Sequence, residues 1–207
     1  MPMKTNEREY RDFTLAIIEA SEDEQDMIVR GYASTFMEPY TLYEGEGLVI
    51  REQVDPKAFD EADMSDVIMQ YDHEGRVFAR MSNDTLKVNP DERGLAIEAD
   101  LGHTEIGRQL YEEIRGGYTT KMSYGYIVDE DKWESSYVDG KDIELRTVTK
   151  VRKVFDVSAV SLPANNATSI SVRNLTDGVI EQIKAERLKA LELERRKAIL
   201  SIRTKEI

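Results

Sequence analysis

Lys121-Met122-Ser123-Tyr124-Gly125-Tyr126 is the stretch that says most about the fold. Its bulky residues, Met122, Tyr124 and Tyr126, alternate with smaller ones. In a strand they would share one face, and Ser123 would lie on the other. The sequence therefore predicts a strand over residues 118–128 that carries a serine on the side opposite its apolar face.

Apolar alternation predicts further strands on both sides of this stretch. They fall at residues 10–19, 27–33, 48–54, 67–71, 77–81, 85–88, 95–101 and 143–162. Residues 129–142 form an acidic stretch between two of them and are predicted to be solvated. We expect a mostly β (α+β) domain with two or three helices inserted.

Two of these helices have recognisable start signals. Residues 104–115 repeat apolar side chains every four positions, begin at Thr104 as a candidate cap and end at two glycines,. Asp55 followed by Pro56 predicts the start of a short helix over residues 55–60,.

Composition limits the classes of function. The 207 residues suit one good-sized domain, and 41 acidic against 28 basic residues give a net charge of −13, which argues against a nucleic-acid surface,. The absence of cysteine excludes disulfides and thiol chemistry,. No secretory signal and no long apolar run is present, so a soluble, cytoplasmic protein with no membrane partner is expected.

The composition changes near residue 175, where Glu, Lys, Arg, Leu and Ile begin to dominate. We therefore predict a domain over residues 1–174 and a charged helical arm over residues 175–207. A solvated helix lying on the domain and a partner-binding or coiled-coil arm are both compatible with the ragged apolar stripe.

Ser123, His73 and Asp156 are candidates for nucleophilic catalysis. A serine hydroxyl needs a base to remove its proton, and a carboxylate can orient that base. Only two histidines are present, and His103, near a helix start, is the weaker base. Each candidate also has an ordinary interpretation: a cross-strand serine, a turn histidine, and a buried aspartate paired with an arginine such as Arg152 or Arg173.

Other chemistries have less support. The acidic clusters at residues 60–63 and 129–131 lack histidine at ligand spacing and predict solvated faces, with weak Ca²⁺ binding as the alternative,. Gly45-Glu46-Gly47 precedes a predicted strand instead of a helix, so it is not a phosphate-binding loop. No cofactor or metal is expected.

Six short segments, in order, carry a resemblance to a known family, the prohead (capsid maturation) serine proteases of tailed bacteriophages. They are residues 29–36, 54–59, 71–74, 93–95, 114–126 and 154–165. The resemblance implies that the family's catalytic histidine and serine correspond to His73 and Ser123. The family usually carries glutamate at the position of Asp156, which is one methylene shorter but can also accept the imidazole proton.

The resemblance also implies a fold and an activity. The fold would be an assemblin-like closed β-barrel surrounded by a few helices, often dimeric, because herpesvirus assemblins look like distant relatives. Assemblins use a second histidine after the serine, and none follows His103 here, so an acidic third member is expected. The activity would be cleavage of the scaffold protein or of the N-terminal scaffolding segment of the major capsid protein, inside the immature prohead in the host cytoplasm, followed by self-cleavage.

Two rival functions remain open from the sequence. A non-enzymatic head-assembly or scaffold protein could keep the barrel and bind capsid subunits through the C-terminal helix, in which case His73 and Ser123 would lie far apart. An esterase or amidase could use the same residues, but the Gly-x-Ser-x-Gly elbow is missing because Met122 and Lys121 precede Ser123,.

Overall fold

Strands make up most of the computed structural model, which describes residues 8–20, 26–45, 47–161, 185–186, 188–189, 192–193 and 195–196. In chain order the elements are β1 (Glu9–Ala20), β2 (Ile28–Thr35), β3 (Tyr40–Gly45), β4 (Leu48–Val54), β5 (Ile68–Tyr71), β6 (Glu74–Arg80), β7 (Leu86–Pro90), β8 (Gly94–Asp100), α1 (Glu105–Arg115), β9 (Lys121–Val138) and β10 (Lys141–Val160). A 3₁₀ helix spans Met81–Asn83. The mostly β prediction is confirmed, and β3 is a strand that the sequence analysis missed. The expectation of two or three helices is not met: up to residue 161 the described residues hold one α-helix, α1.

The long hairpin of β9 and β10 lies at the centre of the sheet. Its antiparallel register runs from Lys141 opposite Val138 to Val160 opposite Lys121. Asp139 and Gly140 both have positive φ, 51° and 80°, as a two-residue type I′ turn requires,. The acidic stretch predicted to be solvated is indeed mostly exposed, but residues 129–138 belong to β9.

The sheet is open among the described residues, so the prediction of a closed barrel is not met there. The strands pair in the order β3-β4-β10-β9-β1-β2-β8-β7, with β5 beside β10 and β6 beside β5. Closure would need a ladder between the two ends of this path. One isolated bridge, from Phe36 to Val54, joins the end of β2 to β4, and this falls short of a ladder.

Two strands, β4 and β5, pair in parallel with different parts of the same edge of β10. β4 pairs with it from Asp142 to Val148, and β5 pairs with it from Asp156 to Ala159. This division brings the short β5–β6 hairpin next to the far end of the β9–β10 hairpin. It is the feature of the fold that positions the candidate site.

The predicted helix over residues 104–115 is confirmed as α1. Thr104 Oγ1 accepts a hydrogen bond from Gly107 N at 3.0 Å, which satisfies a free N–H of the first turn,. Leu110, Tyr111 and Ile114 are buried in the core of the sheet. Packing of this apolar face, which the four-residue spacing predicted, fixes the helix on the domain.

The short helix predicted over residues 55–60 is wrong, because the segment forms consecutive turns. Lys57 N donates to Asp55 Oδ1 at 2.8 Å, so the predicted cap forms. The carbonyl of Ala58, however, accepts from Val151 N of β10 at 2.8 Å instead of from a residue of its own turn. Tertiary hydrogen bonding to β10 therefore replaces the bonds that a helix over this segment would form.

Contacts divide the chain into two units, Met1–Ser169 and Ile170–Ile207. In the second unit the described residues are helical pairs between residues 185 and 196. The rest of the predicted arm lies outside the described residues, so the single charged helix and the boundary at residue 175 stay predictions. None of the described helices is long and apolar enough to cross a membrane.

Candidate active site

Ser123 lies where the alternation of β9 predicted it. Met122, Tyr124 and Tyr126 are fully buried in the core, and Ser123 occupies the opposite face. Its Oγ is 2.5 Å from Nε2 of His73 and 2.8 Å from the carbonyl oxygen of Arg11 in β1. The single hydroxyl proton of Ser123 therefore has two acceptors within reach.

His73 is held in the two-residue turn between β5 and β6. Asp72 and His73 both have left-handed backbone conformations, with φ of 48° and 60°, which suit a type I′ hairpin but are unfavourable for residues other than glycine,. The carboxylate of Asp72 accepts hydrogen bonds from the backbone N and the Oγ of Ser161, each at 2.9 Å. Asp72 N also donates to the carbonyl of Ala159 at 3.0 Å. These bonds fasten the strained turn to the end of β10.

Asp156 lies on β10 with no exposed surface. Its Oδ1 is 2.5 Å from Nδ1 of His73 and accepts a hydrogen bond from Ser158 Oγ at 2.9 Å. Its Oδ2 is bound by Nη2 of Arg8. The buried carboxylate thus has a partner on each oxygen, as the cost of burying an uncompensated charge requires.

The register of the β9–β10 hairpin explains why these groups meet. Ser158 lies opposite Ser123, and Asp156 lies opposite Gly125. A Cβ atom at Gly125 would lie 2.3 Å from Asp156 Oδ2 and 2.7 Å from Arg8 Nε. Gly125 therefore leaves the space that the carboxylate and the guanidinium occupy.

The structure brings together Ser123, His73 and Asp156, the three residues that the sequence singled out. His103 is elsewhere: it is largely exposed and pairs with Asp100 at 3.0 Å. The predicted arginine partner of Asp156 exists, but Arg8 takes this place instead of Arg152; Arg173 lies outside the described residues.

The sequence analysis did not identify two residues of the site, Arg8 and Ser158. Arg8 is 148 positions from Asp156, and nothing in the pattern of either segment connects them. Ser158 was within reach of prediction, because residues two apart on a strand share a face and Asp156 had already been identified.

A buried ionic cluster lies on the opposite, core-facing side of β1 and β9. Its members are Glu9, Arg11, Glu52, Asp131 and Arg146. Glu52 Oε1 accepts from Arg11 Nε at 2.6 Å, and Glu52 Oε2 accepts from Arg146 Nη1 at 2.7 Å. Burial opposes the ionisation of Glu52, but the two guanidinium groups outweigh it and lower the pKa of Glu52 to about 2,.

The cluster anchors the N-terminal half of β1, which Arg8 directly precedes. Arg11 pairs with Tyr124 and Asp12 pairs with Ser123 in the β1–β9 ladder, and a register irregularity follows between Phe13 and Ile17. The charges of Glu9 and Arg11 are thus satisfied in the interior, and their strand is fixed beside the candidate nucleophile.

A groove of about 550 Å³ lies beside the His73 turn, between the β5–β6 hairpin and α1. Its lining combines apolar and charged side chains: Tyr71, Asp72, Glu74, Gly75, Arg76, Phe78, Ile106, Gln109, Leu110 and Glu113. Across the described residues no group of three or more His, Cys, Asp or Glu side chains has a geometry that could hold a metal ion.

The sequence matches the family model for caudovirus prohead serine protease over residues 15–182. The chain belongs to this family. Prohead protease membership makes it a serine protease of phage capsid maturation, and it associates the chain with the prohead and with capsid-related partners. Comparison with curated proteins gave no match, and neither did comparison with solved structures. Ser123, His73 and Asp156 all lie inside the matched span, whereas Arg8 lies before it.

Proposed function

We propose that the protein is an endopeptidase in which Ser123 is the nucleophile, His73 the general base and acid, and Asp156 the residue that orients His73. The observation that carries the proposal is the placement of His73, with Nε2 2.5 Å from Ser123 Oγ and Nδ1 2.5 Å from Asp156 Oδ1. Both distances are within the reach that proton transfer needs.

The proposed reaction has two stages. Oγ of Ser123 attacks the peptide carbonyl carbon while Nε2 of His73 takes the hydroxyl proton, and the Asp156 carboxylate stabilises the imidazolium. The C–N bond then breaks as His73 gives this proton to the leaving amine, which leaves an ester on Ser123. A water molecule, deprotonated by His73, hydrolyses the ester and regenerates the serine.

Ser123 must change its hydrogen bond and its exposure for this reaction to start. Its hydroxyl also reaches the Arg11 carbonyl at 2.8 Å, and an attack requires the proton to face His73. Ser123 has no exposed surface, and the side chain of His73 is 14% exposed. A substrate therefore needs a local opening before its carbonyl can reach Oγ.

The proposed substrates are the scaffold protein, the N-terminal scaffolding segment of the major capsid protein of the same phage, or both, with cleavage of the enzyme itself as a further reaction. Family membership supports these substrates. The short distance between His73 and Ser123 favours an enzyme over a non-enzymatic head-assembly protein that binds capsid subunits. A homodimer is compatible with this proposal.

Incubation of the purified protein with its capsid precursor and scaffold, followed by mass spectrometry of new termini, tests the proposal. We expect new termini in at least one of the two substrates and in the enzyme itself with the wild-type chain, and none with Ser123→Ala or His73→Ala. Circular dichroism should show that the Ser123→Ala variant is folded. Cleavage by Ser123→Ala at the wild-type rate would rule out Ser123 as the nucleophile, and an inactive wild type would contradict the protease proposal.

A further inference from the structure

Within the described part of the chain, the Asp156 carboxylate has three hydrogen-bond partners, of which Arg8 alone carries a permanent charge. His73 and Ser158 both contact Oδ1, at 2.5 Å and 2.9 Å, and Nη2 of Arg8 binds Oδ2. A carboxylate bound at one oxygen alone can rotate about its Cβ–Cγ bond, because that terminal torsion is soft. Contact at the second oxygen by a rigid guanidinium fixes the plane of the carboxylate.

The guanidinium of Arg8 is itself held in place by its surroundings. It lies over the rings of Tyr10 and Phe155, with its carbon 4.9 Å and 4.6 Å from the two centroids. It also fills the space beside Gly125, where a Cβ would come within 2.8 Å of Nη2. Cation–π contact and steric confinement therefore restrict the guanidinium to the position from which it meets Asp156.

The charge of the Asp156 carboxylate also depends on Arg8. A carboxylate with no exposed surface is costly to keep ionised, and a neutral imidazole supplies no compensating charge,. Arg8 compensates that charge at a cost to itself, since burial lowers its pKa and its buried Nε has no hydrogen-bond partner within the described part of the chain. The charge balance of the Ser123, His73 and Asp156 group thus depends on a residue that directly precedes β1.

We propose that Arg8 is a positioning residue that holds the Asp156 carboxylate in the orientation that receives His73 Nδ1. Its effect on catalysis rests on the proposed protease function, whereas its effect on the His73–Asp156 hydrogen bond does not. Residue 8 lies outside the matched span of residues 15–182, so membership of the family does not assign this role.

The two histidines of the chain allow a direct test by NMR. In protein labelled with ¹⁵N-histidine, with His103→Gln to assign the signals, we expect a downfield Nδ1–H proton from His73 in the wild type. Arg8→Ala should lose or shift this signal, Arg8→Lys should retain part of it, and added guanidinium ion should restore it in Arg8→Ala. Circular dichroism and thermal melts establish that each variant is folded.

Lys153→Ala is the matched control. Lys153 also lies over the Phe155 ring, at 5.5 Å, but its ion pair is with Asp63 at 2.8 Å instead of with Asp156. The His73 signal should be unchanged in Lys153→Ala. An unchanged His73 signal in folded Arg8→Ala would overturn the proposal.

Cleavage assays separate this proposal from the function on which it rests. We expect kcat of Arg8→Ala to fall by about 100-fold with little change in KM, because misplacement of a catalytic group affects the transition state more than substrate binding. Partial recovery in Arg8→Lys or with guanidinium ion supports positioning. If the wild type cleaves nothing while the His73 signal still depends on Arg8, the protease function fails and the positioning role stands. If the wild type cleaves and Arg8→Ala matches it in rate and in signal, the positioning role fails alone.

Discussion

Nδ1 of His73 lies 2.5 Å from Oδ1 of Asp156, although 83 positions separate the two residues. The contact exists because β5 pairs in parallel with the second half of β10 and then turns back at Asp72 and His73. The turn places the imidazole over the strand that carries Asp156. Sheet pairing therefore builds the site from segments that have no local connection.

Replacement of Asp156 by asparagine tests the proposed orienting role. The amide keeps the size of the carboxylate but cannot carry its charge, so the imidazolium is not stabilised and the Nδ1–H tautomer is no longer favoured. We expect kcat to fall by about 10⁴-fold. Steady-state kinetics on a peptide spanning a mapped cleavage site provides the measurement, and an activity within threefold of wild type, on the order of 1 kcal/mol or less, would contradict the role.

Replacement of Gly125 by alanine should damage the site more than the fold. The new Cβ would lie 2.3 Å from Asp156 Oδ2 and 2.7 Å from Arg8 Nε, so the carboxylate and the guanidinium must move. We expect a loss of about 100-fold in kcat, since small displacements of catalytic groups have effects of this order.

Gly45→Ala is the matched control for that substitution. Its Cβ would also meet an atom at 2.8 Å, but this atom is the hydroxyl of Tyr43, at the free end of a side chain that can turn away. Activity of Gly45→Ala should stay near wild type. Equal activities for the two alanine variants would show that the space at Gly125 has no role in the site.

Replacement of Glu52 by glutamine tests the buried ionic cluster. The substitution removes the carboxylate that bridges Arg11 and Arg146 and leaves Glu9 and Asp131 as their remaining acidic partners. At pH 7 we expect the free energy of unfolding to fall by about 3 kcal/mol. The folded-state pKa of Glu52, about 2, is below its usual 4.5. Its ionisation therefore stabilises the fold fully above about pH 4.5, and this contribution is lost as the pH falls towards 2.

The difference in stability between wild type and Glu52→Gln should accordingly narrow between pH 4.5 and pH 2,. Urea unfolding at a series of pH values measures it. Glu44→Gln is the control, because Glu44 forms an exposed pair with Lys141 and its loss should change stability little,. A constant difference across the acid range would show that the ionisation of Glu52 does not contribute to folding.

Replacement of Asp72 by alanine should loosen the turn that presents His73. It removes the acceptor for the backbone N and the Oγ of Ser161, so the left-handed turn loses its side-chain attachment to the end of β10 and keeps only the backbone bond from residue 72 to Ala159. We expect kcat to fall by about 10-fold or more, while the free energy of unfolding falls by only about 1–2 kcal/mol.

Asp91→Ala provides the comparison for the Asp72 variant. Asp91 also fastens a hairpin turn, accepting from Arg93 N at 2.7 Å, Gly94 N at 2.9 Å and the Tyr32 hydroxyl at 2.8 Å, but that turn joins β7 and β8. Asp91→Ala should lower the free energy of unfolding and leave kcat unchanged. If both variants lose activity in proportion to stability, Asp72 serves the fold and not the position of His73.

Local pattern in the sequence predicted the elements that depend on near neighbours. The alternation at Met122, Tyr124 and Tyr126 predicted which face of β9 is buried, and the cap at Thr104 predicted the start of α1. It failed at residues 55–60, where hydrogen bonds to β10 replace those of a helix. It also missed β3, whose pairing with β4 is not visible in its own residues.

The sequence by itself determined the alternating strands, the helix α1 and the identity of Ser123, His73 and Asp156 as candidates, because these follow from side-chain periodicity, capping and family motifs. Tertiary structure alone decided that the three meet, that Arg8 completes the charge balance at Asp156 and that Gly125 gives both groups room. Strand register controls these contacts, and register depends on pairing between segments far apart in the chain. Local sequence patterns do not encode that pairing directly.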